Sequence, residues 1–588
     1  MIGFSTRTAV RPKRPMKTWG FNWALIRYRP WQFAAYSVFG ILFFGMRVIP
    51  GLIEKAVFDT VTGATPARFG LWTLIVIYVS VELARLSTSF AQAWADVNFR
   101  YLAGALLRRN FLASILRRPG AAGLPMASGE AINRFDDDVG ETSDFPLWLP
   151  HVAGNVIATI IAVVIMATID LRITLVVFIP IFAGVAVTRM AWGHLHAGYA
   201  ASRTATGAVT GFLGELFGSV QAIKVANAED DVADRLEVLN DTRRRSELRI
   251  LFFREALNSI NGSAVTFGIG VTLLLAGQRM AAGTFTVGDF ALFVYYLWFT
   301  TELPTLLGTF MGDYKQQEVS INRMAELVRP EPVEALVDHG PIYEAGPLPV
   351  VPFTVKSAAH RLDRLTVDDL AYRFPNGGSG IEGINLRLER GSFTVVTGRI
   401  GSGKTTLLRV LLGLLPHYRG EIRWNGEVVS DPGTFFRPPR SAYTPQVPRL
   451  FSETLRGNIL MGLPEAQVDL DAALRMGVFE QDVAGLERGL DTLVGPRGVR
   501  LSGGQVQRVA AARMFVRDAE LLVFDDLSSA LDVETERTLW DRLFAGERRA
   551  QSAEQRTRSA LCAPSVSNLS RRVASAPGFA ASRPYYRP

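Results

Sequence analysis

Unbroken apolar runs dominate the first half of the chain, and short alternating runs take over in the second. Six stretches before residue 330 are long and apolar enough to cross a bilayer: 33–53, 71–90, 146–169, 171–190, 256–276 and 288–308. Hydrocarbon offers no water to backbone N–H and C=O groups, so each is expected to be a helix. From Leu365 onward the pattern changes to strand-like alternation broken by Gly-rich turns, which predicts a second, sheet-containing domain. Between them, 329–364 is rich in Pro, Val and Gly without a sustained period and reads as a linker.

Charge orders the spans. The connection between the second and third carries Arg100, Arg108, Arg109, Arg117, Arg118 and Arg134. The connection between the fourth and fifth carries Arg203, Lys224, Arg235, Arg243, Arg244, Arg245, Arg249 and Arg254. The other connections hold only Lys55, Arg68, Arg172 and Arg279. The basic loops share a side with the basic N-terminal arm, 1–30, and the positive-inside tendency makes that side cytosolic. Six spans return the chain to that side, so the second domain is expected there. Arg47, Glu82 and Arg85 lie inside spans, where charge is costly. Snorkelling or helix–helix pairing accounts for them better than direct substrate contact. Asn155, Asn258, Asn261 and Glu302 are scattered through the spans without a recognisable substrate pattern.

Composition agrees with this division. Hydrophobic residues make up 48% of the 588 residues, which suits a multi-pass membrane protein better than a soluble one. The formal charge of +8 is absorbed by the cytosolic loops, so it argues no nucleic-acid partner. Cys562 is the single cysteine, which excludes an internal disulfide and a Cys-based metal site.

The second domain carries the chemistry. Phe393–Val396 is a β-branched strand, Gly398–Thr405 fits G-x-x-x-x-G-K-[ST], and a good helix begins at Lys404. Strand, Gly-rich loop and helix in that order make a P-loop. The amides of Gly398, Arg399, Ile400, Gly401, Ser402, Gly403, Lys404, Thr405 and Thr406 would cradle phosphate oxygens at a helix N-terminus. Lys404 would reach the β- and γ-phosphates, and the Thr405 hydroxyl would ligate Mg²⁺. LLVFDD, Leu521–Asp526, is an apolar strand that delivers two carboxylates. Asp525 stands where a P-loop protein holds Mg²⁺, and Asp526 where a general base would stand.

These segments, with LSGGQVQR at Leu501–Arg508, resemble the ABC transporter family in its exporter form. The resemblance covers most of residues 20–540. It implies a half-transporter, with an all-α six-helix transmembrane domain (31–328) followed by an α/β P-loop NTPase domain (365–544). It further implies that Ser502, Gly503, Gly504 and Gln505 start a helix that caps the γ-phosphate of ATP held by an opposite subunit. The active form is then a homodimer or a heterodimer with two shared MgATP sites. TPQVPRLFSETLRGNI from Thr444 resembles the Q-loop region, so Gln446 is expected to sense Mg²⁺ and the attacking water. SSALD, Ser528–Asp532, resembles the D-loop. LAYRFP from Leu370 resembles the strand ending in an adenine-stacking aromatic, with Phe374 the first choice and Tyr372 the second. SGEAINRFDDD and SVQAIKVANAE resemble the cytosolic coupling regions. The expected activity is ATP hydrolysis coupled to export of an unidentified substrate from a bacterial-type plasma membrane, with a cytosolic nucleotide-binding domain.

Two features depart from the family. Asp526 replaces the usual catalytic glutamate and is one methylene shorter. The family places a strand and then a switch histidine after the D-loop, whereas no histidine follows His417. Residues 545–588 are rich in Ser, Ala, Arg and Pro, and composition predicts a disordered tail in place of the last strands, through a frame disruption or a divergent terminus. The alternative function is therefore an ATP-binding, hydrolysis-impaired partner subunit.

Overall fold

The computed structural model describes residues 16–64, 69–126, 128–375, 377, 380–527, 530–550 and 559–563. The chain divides into two units. The first comprises the described residues of 11–113 and 126–342, and it is helical.

Its helices follow the apolar runs but outlast them. After α1 (Thr18–Tyr28), α2 (Pro30–Gly45) and α3 (Ile49–Thr62) make one span interrupted by a 3₁₀ turn at Met46–Val48. Pro50 lies in the first turn of α3, where a missing N–H is tolerated. The buried Tyr296 hydroxyl donates to Val48 O at 2.8 Å, which satisfies a carbonyl at the interruption. Then come α4 (Leu71–Leu116), α5 (Trp148–Ile169), α6 (Leu171–Gly218), α7 (Glu229–Ala281), α8 (Val287–Thr300) and α9 (Glu302–Val328). Asp170 caps α6 by accepting from Arg172 N and Ile173 N. Thr286 and Asp289 form a reciprocal capping box that starts α8.

Among the described residues, five helical segments are long and apolar enough to cross a membrane: 30–62, 71–116, 129–169, 171–191 and 287–328. The remaining expected span, 256–276, is helical within α7. Large apolar side chains such as Trp72, Phe182 and Leu274 face outward, as lipid contact requires. Several polar residues within the spans are paired. Arg85 Nη1 donates to both carboxylate oxygens of Glu82 at 2.8 and 2.9 Å. Arg47 Nη1 donates to Glu302 Oε2 at 2.9 Å, with its guanidinium over the Phe299 ring. Asn155 donates to His151 O, and the Asn261 side chain lies outside the described residues.

The second unit contains residues 114–125 and the described residues from 343 onward. Its antiparallel sheet has the order β2-β1-β4-β5, from β1 (Arg364–Tyr372), β2 (Ile381–Glu389), β4 (Arg419–Trp424) and β5 (Glu427–Val428). A parallel sheet holds β3 (Phe393–Val395), β6 (Ser441–Thr444), β7 (Leu521–Asp525) and β8 (Ser559–Ala563), in the order β3-β8-β7-β6. Every residue of β7 is buried, which explains its apolar run. Three helices matter for the site: α10 (Lys404–Leu411), α11 (Gly503–Phe515) and α12 (Val533–Ala550).

β8 corrects the expected tail. α12 runs on to Ala550, and Ser559–Ala563 forms a strand within the segment read as disordered. It pairs in parallel with β3 on one side and β7 on the other, Leu561 lying opposite Thr394 and Val523. Ladder bonds come from the backbone, so a short segment of small residues fits between two strands without an apolar run to announce it.

Candidate nucleotide site

The parallel sheet aims three segments at one place, since ligands of open α/β sheets bind beyond the carboxyl ends of the strands. The end of β3 runs into the loop 396–403 and then α10. Gly401 and Gly403 sit at φ +82° and +90°, a left-handed geometry that turns successive amides to one side. A Cβ on Gly403 would lie 2.8 Å from Ile381 Cγ2, so the loop's last turn also needs glycine for space. Lys404 Nζ donates to Gly398 O at 3.0 Å and Arg399 O at 3.2 Å, which holds the ammonium against the loop. Ile400 stands 95% exposed at the rim.

β7 brings the two aspartates beside that loop. Thr405 Oγ1 donates to Asp525 Oδ1 at 3.0 Å, and the Tyr443 hydroxyl donates to Asp525 Oδ2 at 3.2 Å. Asp525 is buried, and burial pushes its carboxyl above the ordinary aspartate range. Hydrogen bonds from Thr405 and Tyr443 and the Arg409 guanidinium pull the other way, while Asp526 adds to the push. Burial, with the Asp525 charge, also pushes the Tyr443 phenol up to about 12, so it stays a donor.

Asp526 is also buried and takes φ +58°. Aspartate adopts this left-handed geometry more readily than most residues. Gln446 Nε2 donates to Asp526 Oδ2 at 3.5 Å, at the long limit of a hydrogen bond. The Gln446 backbone carbonyl accepts from Gln507 Nε2 at 3.4 Å, which ties this loop to α11. Lys404, Thr405, Gln446, Asp525 and Asp526 are thus linked through neighbouring strands. The donor set of a hydroxyl, an amide oxygen and carboxylates suits a hard cation such as Mg²⁺, which takes few protein ligands besides phosphates.

Ser502 caps α11 with a full capping box. Its hydroxyl accepts from Gln505 N, and Gln505 Oε1 accepts from Ser502 N at 2.8 Å. Gln505 Nε2 and Arg508 Nη2 both donate to Asp482 Oδ1 at 3.0 Å. A Cβ on Gly504 would lie 2.8 Å from Ala530 O, so α11 begins against the segment after β7. Ser528 and Ser529 of the expected D-loop lie outside the described residues. Asp532 caps α12 through Glu534 N and Thr535 N.

Of the two candidate aromatics, Tyr372 is buried and Phe374 is 39% exposed, its ring edge-on to Tyr372 at 4.9 Å. Sequence reasoning did not single out Tyr443, Gln507 or Asp482. Tyr443 stands directly before the Thr444–Gln446 stretch, but only the pairing of Tyr443 with Val523 brings it to Asp525.

Two comparisons bear on this arrangement. Residues 34–303 match the ABC transporter transmembrane region, and residues 381–529 match the ABC transporter family. An ATP-dependent lipid A-core flippase of Chromobacterium violaceum is 26% identical over 472 residues, 79% of this chain and 76% of the relative. A putative multidrug export ATP-binding/permease protein of Staphylococcus aureus is 28% identical over 424 residues, 71% of this chain and 70% of the relative. With a transmembrane region fused ahead of a nucleotide-binding domain, the chain belongs to the ABC transporter family as an exporter-type half-transporter.

Proposed function

We propose that the chain is one subunit of a dimeric exporter that couples MgATP binding and hydrolysis to movement of a substrate across a bacterial-type plasma membrane. The observation that carries this reading is the Thr405–Asp525 hydrogen bond, which joins the P-loop helix to the carboxylate strand at the carboxyl end of the parallel sheet. In this reading the amides of Gly398–Thr406 hold the phosphates and Lys404 neutralises the β- and γ-phosphate charge. Phe374 stacks on adenine. Thr405, Asp525 and Gln446 would hold Mg²⁺, which supplies charge neutralisation at the phosphates. Asp526 accepts hydrogen bonding from the attacking water, with Gln446 fixing its carboxylate. Ser502 and the amides of Gly503, Gly504 and Gln505 offer the N-terminus of α11 to the γ-phosphate of the other subunit's ATP. The bacterial relatives support the membrane, and the basic loops support a cytosolic nucleotide-binding domain.

Mixing subunits tests the shared site. Lys404→Ala and Ser502→Ala homodimers each have two damaged sites. A mixed dimer keeps one site with both elements intact if the site is built between subunits. ATPase activity regained on co-expression is the expected result. No recovery, with mixed dimers shown to form, overturns the shared site.

A second reading is a partner subunit that binds ATP and hydrolyses it poorly. It is favoured by the 3.5 Å reach between Gln446 and Asp526 and by the residues that follow β8, Pro564–Asn568, which contain no histidine. ATPase activity of the purified chain in lipid, alone and with a second half-transporter, separates the two.

A further inference from the structure

The helical unit contains a cavity of about 560 Å³ between α3 and α8, in the size range of small-molecule sites. Its wall is aromatic: Phe58 from α3, and Phe290, Tyr295 and Trp298 from α8. One carboxylate lines it, that of Glu54. Glu54 stands eight residues before the end of α3 at Thr62, about 12 Å along the helix.

The carboxylate has a hydrogen bond but no cation. The Tyr78 hydroxyl of α4 donates to it. Nearby cations are committed elsewhere. Arg85 is held by both oxygens of Glu82 and lies over the Phe43 ring. Lys55 is engaged by Asp59 and Asp289. Among the described residues no salt bridge reaches Glu54. A carboxylate inside a spanning segment is costly and marks a functional site unless something pairs with it. Here an aromatic wall stands beside it, and aromatic faces attract cations as the carboxylate does.

We propose that this cavity binds amphipathic cations, lipophilic ammonium or phosphonium compounds whose charge meets Glu54 and whose body fills the aromatic wall. The proposal names a substrate class for the transport reading above and rests on it. Phosphate-bearing amphiphiles would be repelled from the same site.

An isosteric pair of ions tests it. Binding of tetraphenylphosphonium and of tetraphenylborate is measured by equilibrium dialysis on the full chain in lipid nanodiscs, without nucleotide, against empty discs. The wild type should bind the cation in preference. Glu54→Gln should weaken the cation tenfold or more and leave the anion unweakened. Trp298→Ala, at a 68% exposed position that folding tolerates, should weaken the cation through the lost ring. Three results would overturn the site: no cation binding above empty discs, an unchanged cation affinity in Glu54→Gln, or an equal loss for both ions. Since no nucleotide is present, these results stand apart from the ATPase. Normal subunit complementation with no cation binding would sink the cavity and leave the transport reading intact.

Discussion

Thr405 and Asp525, 120 residues apart, share a 3.0 Å hydrogen bond between the first turn of α10 and the end of β7. Burial of the carboxylate, which this bond only partly offsets, has a thermodynamic consequence. Asp525 is buried and its folded pKa lies above its unfolded value. In the window between the two, the folded state binds more protons, so stability falls as pH rises through it. Above the raised pKa the charge is a standing penalty, and below about pH 3.9 it vanishes. Asp525→Asn keeps the shape and removes the charge. The variant should melt at an equal or higher temperature than wild type at neutral pH without Mg²⁺, with the difference fading in acid. It should also lose Mg²⁺-dependent nucleotide hydrolysis, by about a hundredfold or more. Melting curves from pH 3 to pH 8, beside ATPase assays, check both signs.

Asp526 poses the converse question. Its left-handed backbone favours Asp or Asn over a longer side chain, while its carboxylate meets Gln446 only at 3.5 Å. A displacement near 1 Å costs about a hundredfold in rate. Asp526→Glu should therefore raise turnover, by ~10-fold to ~100-fold, and lower stability by about 1 kcal/mol for the left-handed residue. Asp526→Asn should reduce turnover below wild type. Steady-state hydrolysis and melting temperature read the two effects separately. Unchanged turnover in both variants would show that Asp526 does not touch the reacting water.

The start of α11 is fixed by two features, the Ser502 capping box and the glycine against Ala530 O. Ser502→Ala removes the cap at a cost of about 1 kcal/mol. Gly504→Ala drives a methyl into a backbone oxygen, which cannot rotate away, and overpacking of this kind costs about 1–3 kcal/mol. Gly504→Ala should thus destabilise the domain at least as much as Ser502→Ala. Denaturant melts of the full chain in detergent decide the order.

Much of this site was legible because local chemistry demanded it. The P-loop needs glycines at positive φ, and β7 needs an apolar run because both its faces are covered. The helix start at Ser502 was legible only through the family resemblance of LSGGQVQR, and the capping box with Gln505 came with the structure. What escaped was set by register between distant strands. Tyr443 reaches Asp525 only because β6 lies beside β7, and Gln507 reaches Gln446 O only once α11 is packed. The spans were legible as apolar runs, but the 3₁₀ turn at Met46–Val48 and its bond from Tyr296 were not, since they depend on a residue 248 positions away. β8 was the least legible element, because a strand held on both sides by backbone bonds needs little from its side chains.

β8 is consequently testable through the backbone. Leu561 lies opposite Thr394 of β3 and Val523 of β7. Leu561→Pro deletes an N–H in the middle of the sheet and leaves a neighbouring carbonyl unpaired, a cost of about 1–3 kcal/mol. Hydrogen exchange should quicken in Phe393–Val395 and Leu521–Asp525. Leu561→Ala, which keeps every backbone bond, should leave that exchange nearly unchanged. Equal protection in the proline variant would mean that β8 is not part of the sheet in solution.

In the helical unit, Lys55 stands between two buried carboxylates, Asp59 at 3.2 Å and Asp289. Asp59 is 3% exposed and Asp289 6%, so neither can turn to solvent. Asp289 also caps α8 through Thr286, which fixes its position. Lys55→Met keeps the stem volume and removes the cation. It leaves two adjacent buried charges without compensation, at a cost of about 3–5 kcal/mol. Adding Asp289→Asn to Lys55→Met removes one of those charges while keeping a side chain able to accept from Thr286 N. The double variant should recover most of the loss. If the pair merely filled space, the two substitutions would add independently. The difference between coupled and additive behaviour is read from melting temperatures of the single and double variants in the same lipid.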